Sequence, residues 1–426
     1  MIAVYLTLQE GEGKEKELER WYNEEHVSLL QKVPGWRRTR RYVTSYLDIQ
    51  DGRSKEFLAL HEYAPKNGLG GPEFKAATST KWNDEIYKSV VAEKRRRTYD
   101  LYYTFGPAPR DLGSLYDKAI IEASSTDELT KTYPASKTPS SIPAIESFIT
   151  TKDGVTLPYR LEGSPDPHAP LLILANSILV DYGIWNDFVT HFIKATNNKY
   201  RIVRFNTRGR TSLPEQSSKL ITIETLGEDV ITILDALRAP TASIVGVSLG
   251  GATALYTGLT YPSRISAFVS CDTNSVAPAS NKKAWGERIE VCEKEGAKTT
   301  SGEPTVGEDL AELTVRRWFT KESYADPTIS KKIEITKTMV RENSLQGFRD
   351  SVNALYEYDF RSQMAGFKGK GAFLVGAGDG VLPKTMKEMA DSLGGGVELK
   401  EIEGAGHLPM VEKPDEVAGF VAGFLG

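Results

Sequence analysis

From residue 146 onward, short apolar stretches alternate with longer amphipathic ones, and that alternation leaves few folds open to the chain. PLLILAN (170–176), YRIVRFN (200–206), ASIVGVS (242–248), ISAFVSC (265–271), GAFLVGAG (371–378) and VELKEIE (397–403) read as strands. Helical spacing falls near 184–195 and at 222–238, 250–261, 383–393 and 414–425. Strands that are apolar along their length and separated by helices predict a parallel sheet covered on both faces. ESFITTKDGVTLPYRLEG leads in as a hairpin about Asp153-Gly154, and residues 277–355 read as a helical insertion, or cap. The whole block is taken as 146–426.

A chain of 426 residues is too long for one ordinary core. Residues 1–106 have their own pattern, β-α-β-β-α-β, with strands at 2–8, 40–47, 56–63 and 97–105 and helices at 15–33 and 72–91. That is the ferredoxin-like order. Residues 107–145, rich in Pro, Ser and Thr, read as a linker with one short helix at DLGSLYDKAIIEA. The expected fold class is therefore an α/β domain with a mostly parallel sheet and a helical cap, preceded by an α+β domain.

Net charge is −4, so no global basic field exists to attract nucleic acid. Cys271 and Cys292 are too few for a disulfide framework, and no cluster has metal-ligand spacing. A reducing, cytoplasmic setting and no metal or organic cofactor are expected. The first residues lack a basic leader, and no apolar run is long enough to span a bilayer.

Gly246-Val247-Ser248-Leu249-Gly250, followed by Gly251, joins the strand ASIVGV to the helix that begins GGATALYTGL. A serine on so sharp a strand-to-helix turn is exposed at the carboxyl end of the sheet, and small neighbours let the backbones approach. The helix N-terminus behind it favours developing negative charge. Ser248 is the candidate nucleophile. His407, in the glycine-rich loop Gly404-Ala405-Gly406-His407, is the only one of five histidines that follows it, and is the candidate base. Asp379, directly after FLVGAG, is the preferred acid, with Asp272 after ISAFVSC as its rival. An oxyanion needs two N–H donors. Leu249 supplies one, and the loop Asn176-Ser177-Ile178-Leu179 supplies the other through Ile178, with Ser177 as the alternative.

With these residues in view, about residues 150–426 resemble the 3-oxoadipate enol-lactonase branch of the α/β-hydrolases. The resemblance rests on Asn176-Ser177, Thr207-Arg208-Gly209 and the Ser248 elbow. In the cap it rests on Trp285, Arg288, Arg316-Arg317-Trp318-Phe319-Thr320 and Gly347-Phe348. Asn206 and Ile178-Leu179 depart from the branch, as does the loop at 296–310. The resemblance implies acyl transfer to Ser248 and hydrolysis of a small lactone or ester, with secondary metabolism one source of a larger substrate. Candidate substrate-binding residues are Arg288, Trp285, Arg316, Trp318 and Ser177, with Arg317 beside them.

In the first block, Trp21-Tyr22, Glu25-His26 and Val33-Pro34-Gly35-Trp36 resemble the EthD-like dimeric α/β-barrel domains, which implies a homodimer through this block. His26 and His61 are acid/base candidates there, read more plainly as structural histidines. Two further readings stay open. One is a carbon–carbon bond hydrolase using the same triad on a diketone. The other is a cyclase, decarboxylase or binding function centred on the first block.

Overall fold

The computed structural model describes residues 1–50, 52, 54–63, 67–99, 112, 131–133, 142–214, 217 and 220–426. The chain divides into two compact units, the first holding the described residues up to 99 and the second those from 112 onward.

The first unit runs β1 (Ile2–Leu8), α1 (Lys14–Trp21), α2 (Val27–Leu30), β2 (Trp36–Val43), α3 (Tyr46–Gln50), β3 (Phe57–Tyr63), α4 (Pro72–Thr78), α5 (Lys81–Ser89) and β4 (Val91–Thr98). Its sheet has the order β2-β3-β1-β4, and every pairing is antiparallel. Ile2, Val4 and Leu6 alternate along β1 and pack with Leu18, Trp21, Tyr22, Ile86 and Val90. A π-helical turn, Tyr22–His26, joins α1 to α2. Trp21, Tyr22 and His26 are all buried together with Leu18, the i, i+3, i+4, i+8 positions of one helix face.

Three expectations for this unit shift. β2 is Trp36–Val43 rather than 40–47, ending early because α3 already begins at Tyr46. The helix read over 72–91 is two helices, with the Thr80 side chain accepting the Asn83 N–H to cap the second. The last strand is Val91–Thr98, not 97–105, and residues 100–105 lie outside the described residues. So does the helix read at DLGSLYDKAIIEA, apart from Leu112.

The second unit is built on a nine-stranded sheet. It opens with β5 (Lys131–Tyr133), β6 (Ala144–Thr150) and β7 (Thr156–Gly163), which pair antiparallel. Then come β8 (Leu171–Ala175), α6 (Asn186–Ala195), β9 (Arg201–Phe205), α7 (Ile223–Ala236), β10 (Ala242–Val247), α8 (Leu249–Thr260) and β11 (Ile265–Cys271). The cap follows as α9 (Asn281–Glu295), α10 (Glu308–Trp318), α11 (Lys321–Ala325), α12 (Pro327–Arg341) and α13 (Leu345–Val352). The chain ends with α14 (Arg361–Ala365), β12 (Lys370–Gly376), α15 (Leu382–Ser392), β13 (Leu399–Ile402), α16 (Pro409–Glu412) and α17 (Pro414–Leu425). Sheet order is β13-β12-β11-β10-β8-β9-β7-β6-β5, and the pairings from β9 to β13 are parallel. Every residue of β8, β9 and β10 is buried, as a sheet covered on both faces requires. β5 and the start of β6 fall within the stretch read as linker and instead extend the sheet edge. No helix among the described residues is long and apolar enough to cross a membrane.

The first unit buries two histidines. The rings of His26 and His61 lie 6.0 Å apart, nearly perpendicular. His26 Nδ1 meets the Ala77 carbonyl at 3.2 Å, and His61 Nδ1 meets Thr39 Oγ1 at 2.9 Å. Burial pushes His26 down to about 3 and His61 down to about 4, from an ordinary 6.5. Both are therefore neutral in the folded unit at neutral pH. Their contribution to stability is complete above pH 6.5 and is lost as pH falls toward those folded values, because the unfolded chain binds the protons first. Hydrogen exchange of β1 amides in the full chain, corrected for intrinsic rate, is expected to show a smaller opening free energy at pH 5 than at pH 7. His26→Gln should flatten that difference, and an unchanged slope would rule out a buried neutral His26.

Candidate active site

Four neighbouring parallel strands deliver four polar residues to one edge of the sheet. Ser248 follows β10, Asp272 follows β11, Asp379 follows β12 and His407 follows β13. Convergence at the carboxyl edge follows from parallel strands that all end on the same side.

Ser248 has φ 59° and ψ −116°, a conformation that is strained for a residue with a side chain. Its N–H donates to the Cys271 carbonyl at 2.9 Å, and α8 starts at the next residue. The surrounding glycines explain how the strain is held. A methyl group on Gly246 would fall on the Gly250 carbonyl, one on Gly250 on the carbonyls of Ala175 and Asn176, and one on Gly251 on the Cys271 carbonyl. The elbow is thus seated by backbone directly on β8 and β11.

The loop after β8 is tied to the elbow. Gly250 N–H donates to Asn176 O at 3.0 Å. Asn176 is fully buried, its amide donating to the Phe205 carbonyl at 2.7 Å and accepting the Trp185 indole N–H at 3.0 Å. Leu179 takes φ 72°, and its carbonyl accepts Arg210 Nη1–H at 3.0 Å. Among the described residues, neither the Leu249 nor the Ile178 N–H is engaged in a hydrogen bond. Ser177 is buried, and its Oγ has no partner among the described residues.

His407 Nδ1 lies 2.7 Å from Asp379 Oδ2. The His407 N–H donates to the Trp318 carbonyl at 2.7 Å, and its ring stacks on Trp318 at 5.4 Å and 28°. Glu412 accepts the Gly406 N–H at 2.6 Å and the Thr320 N–H at 3.2 Å, pinning this loop to the end of α10. Burial raises the Glu412 carboxyl above its ordinary range. Asp272 is buried at φ 44°, and its Oδ1 accepts the Gly376 N–H at 2.9 Å. Burial and the Asp379 charge raise Asp272 well above the usual carboxylate range. One ligating atom from each of Asp272, Asp379 and His407 falls within 4.8 Å of the others, close enough to reach one cation. The short imidazole–carboxylate bond already engages two of the three.

The cap candidates separate. Trp318 is buried against His407, while Trp285 is buried in α9 with its ring 6.0 Å from Phe348. Arg288 stacks on Trp285 at 4.2 Å. Arg316 points elsewhere, pairing with Glu312 at 2.7 Å and lying over Tyr324 on the exposed side of α10. Arg317, its neighbour, shares with Arg288 a groove of about 200 Å³ lined also by Val291, Leu310 and Leu313. Burial and the Arg317 charge pull Arg288 down to about 10. Arg317 is lowered by burial and raised by the Asp379 charge. Among the described residues, neither arginine has a carboxylate within salt-bridge distance. The Asn176 and Arg210 anchors escaped sequence reasoning, because both act through contacts distant in the chain.

Residues 172–420 match the model of the Alpha/beta hydrolase family. The chain is 29% identical over 283 residues to 3-oxoadipate enol-lactonase 1 of Acinetobacter baylyi, a match spanning 65% of this chain and 96% of that protein. Among solved structures, a hydrolase from Pseudomonas aeruginosa PA01 aligns with 30% identity and TM-score 0.55, over 66% of this chain and 98% of that one. The enol-lactonase from Burkholderia xenovorans LB400 aligns with 24% identity and TM-score 0.53, over 63% and 96%, a likeness of fold.

The close backbone seating of the elbow has a measurable consequence. Gly250→Ala is expected to cost about 2 to 3 kcal/mol or more of stability, since two carbonyls would have to move. Gly286→Ala in α9 meets nothing within 4 Å and is expected to be neutral or mildly stabilising. Thermal unfolding of the two variants side by side checks the contrast.

Proposed function

The chain belongs to the alpha/beta hydrolase family, and from that premise we propose that it cleaves a lactone or ester through Ser248, His407 and Asp379 by way of an acyl-enzyme. The observation that carries the reading is a strained serine followed by the unengaged Leu249 N–H, on the same sheet edge as a histidine bonded to a carboxylate at 2.7 Å. Similarity to an enol-lactonase over nearly that enzyme's whole length supports the choice of bond.

In the proposed sequence, His407 Nε2 takes the Ser248 Oγ proton as Oγ attacks the carbonyl carbon. Asp379 accepts the Nδ1–H bond and stabilises the imidazolium that results. The carbonyl oxygen becomes an oxyanion, received by the Leu249 and Ile178 N–H groups. Collapse breaks the bond to the leaving oxygen, which takes the proton from His407 and departs as an alcohol or enol. Water then gives a proton to His407, attacks the acyl carbon, and the second collapse returns the proton to Ser248 Oγ. An enol product becomes a ketone, which makes ring opening hard to reverse.

Arg288 and Arg317 are the residues proposed to meet a substrate carboxylate. Arg317 replaces Arg316 in that role because Arg316 is already paired with Glu312. Trp318 is proposed as a wall of the acyl site, given its place against His407.

Two measurements test the reading. Ser248→Ala is expected to lower aryl-ester turnover by at least about 1,000-fold, and a serine-directed phosphonate should label Ser248 in the native protein. Turnover that survives the substitution, or a native protein left unlabelled, rejects it. Pairing of two copies through the first unit is a separate proposal. Sedimentation of the full chain as a monomer at micromolar concentration would reject it.

A further inference from the structure

We propose that Asp272 is a positioning residue of this site, donating a hydrogen bond from its buried carboxyl to the Asp379 carboxylate. The inference rests on the Ser248–His407–Asp379 reading above and adds a fourth member behind it.

Asp272 is 1% exposed, and its two oxygens differ sharply. Oδ1 accepts the Gly376 N–H at 2.9 Å, whereas Oδ2 finds no donor among the described residues. The Asp379 carboxylate is the neighbouring polar group, with an oxygen of each carboxyl within 4.8 Å of the other. Two carboxyl groups so placed, with no donor among the described residues for Oδ2, are accommodated when one of them keeps its proton. Gly376 links the same pair through backbone, since its carbonyl accepts the Asp379 N–H at 3.0 Å while its N–H holds Asp272. Asp272 keeps φ 44°, with its N–H on the Leu374 carbonyl at 3.1 Å. A strained backbone retained at a fully buried carboxyl marks a position the surrounding structure over-determines.

Asp272 is the member placed to carry the proton, because it is the fully buried one and its Oδ2 has no donor among the described residues. Asp379 is the partner of His407 Nδ1 at 2.7 Å, so its Oδ2 is already engaged by the imidazole. Asp272 has burial and the Asp379 charge against ionisation, with the Glu412 carboxyl of α16 adding to them. The adjacent Cys271 is fully buried, its thiol pushed well up by that burial, and supplies no positive charge. The result is a chain of donors, Asp272 to Asp379 and His407 to Asp379. It leaves one net negative charge beside the imidazole and fixes the carboxylate's orientation toward it.

The substitution Asp272→Asn keeps the donor and the shape, while Asp272→Leu removes the donor. pH profiles of aryl-ester hydrolysis are to be measured for the native enzyme, both variants and Asp379→Asn, with phosphonate labelling of Ser248 followed in each. Asp272→Asn is expected to stay within about threefold of native kcat, with the acidic limb of kcat/KM unmoved. Asp272→Leu should lower kcat about tenfold with KM little changed. Infrared difference spectra of native against Asp272→Asn should show loss of one protonated-carboxyl stretch at neutral pH, a readout that needs neither turnover nor the Leu variant. An acidic limb displaced downward by about one pH unit in Asp272→Asn means a charged Asp272 and overturns the proposal. So does the absence of that carboxyl band. An inactive Asp272→Asn beside an active Asp379→Asn makes Asp272 the acid and overturns it as well. Failure of Ser248 labelling in native protein instead removes the underlying reading, a result none of the Asp272 outcomes produces.

Discussion

The positive φ of Ser248 is the constraint around which the carboxyl edge of the second unit's sheet is arranged. A side chain in that conformation costs on the order of 1 to 3 kcal/mol, and it persists only where the surroundings leave the backbone no alternative. Here the surroundings are other backbones. Gly246 and Gly250 bring α8 against the carbonyl ends of β8 and β10, and Gly251 brings it against the end of β11. The Ser248 N–H on Cys271 and the Gly250 N–H on Asn176 then lock the turn from both sides. Strand pairing within the sheet is thus converted into the position of one hydroxyl and two amide groups. The helix starting at Leu249 adds the partial positive charge of its first turn at the same point.

Around that fixed point the molecule concentrates acidic groups in a buried space. Asp272, Asp379 and Glu412 all lie near His407, and in such surroundings each charge changes the cost of the next. The structure separates their duties by partner. Asp379 faces the imidazole. Glu412 is spent on the Gly406 and Thr320 amides and the Ser323 hydroxyl, so its work is to hold the histidine loop. Asp272 faces a backbone amide on one side and a carboxylate on the other. Ionising all three without compensation would set like charges in a desolvated pocket.

The parts legible in the sequence were those whose signal is local. The strand ASIVGV running into a glycine-flanked serine names β10, the elbow and α8 together, because a fully apolar strand and a tight turn leave their mark within a dozen residues. The same is true of the final helix, found at Pro414–Leu425 against an expected 414–425. β4 was placed late because its outward residues are a run of charges, Glu93-Lys94-Arg95-Arg96-Arg97, which carries no apolar alternation. Arg316 and Arg317 were indistinguishable because adjacent helical residues differ by about 100° in direction, and nothing in the sequence gives the phase of α10 against its neighbours. Asp272 and Asp379 each end a strand, and only their three-dimensional partners tell them apart.

The C-terminus of α10 ties the cap to the loop that carries His407. Its Trp318 carbonyl accepts the His407 N–H, its Trp318 ring covers the imidazole, and the next turn is held by Glu412. Arg317, one residue back, lines the groove it shares with Arg288 and feels the charge of Asp379. A ligand that displaces Arg317 would therefore act on the same helix end that holds His407. Since α10 is followed at once by α11 and α12, and Arg210 ties α12 through the Met339 carbonyl to the loop carrying Ile178, the cap contacts both that loop and the loop carrying His407. Under the proposed reading, substrate fit in the cap and alignment of Ser248 and His407 are coupled through these contacts, and changes in cap residues should move kcat together with KM.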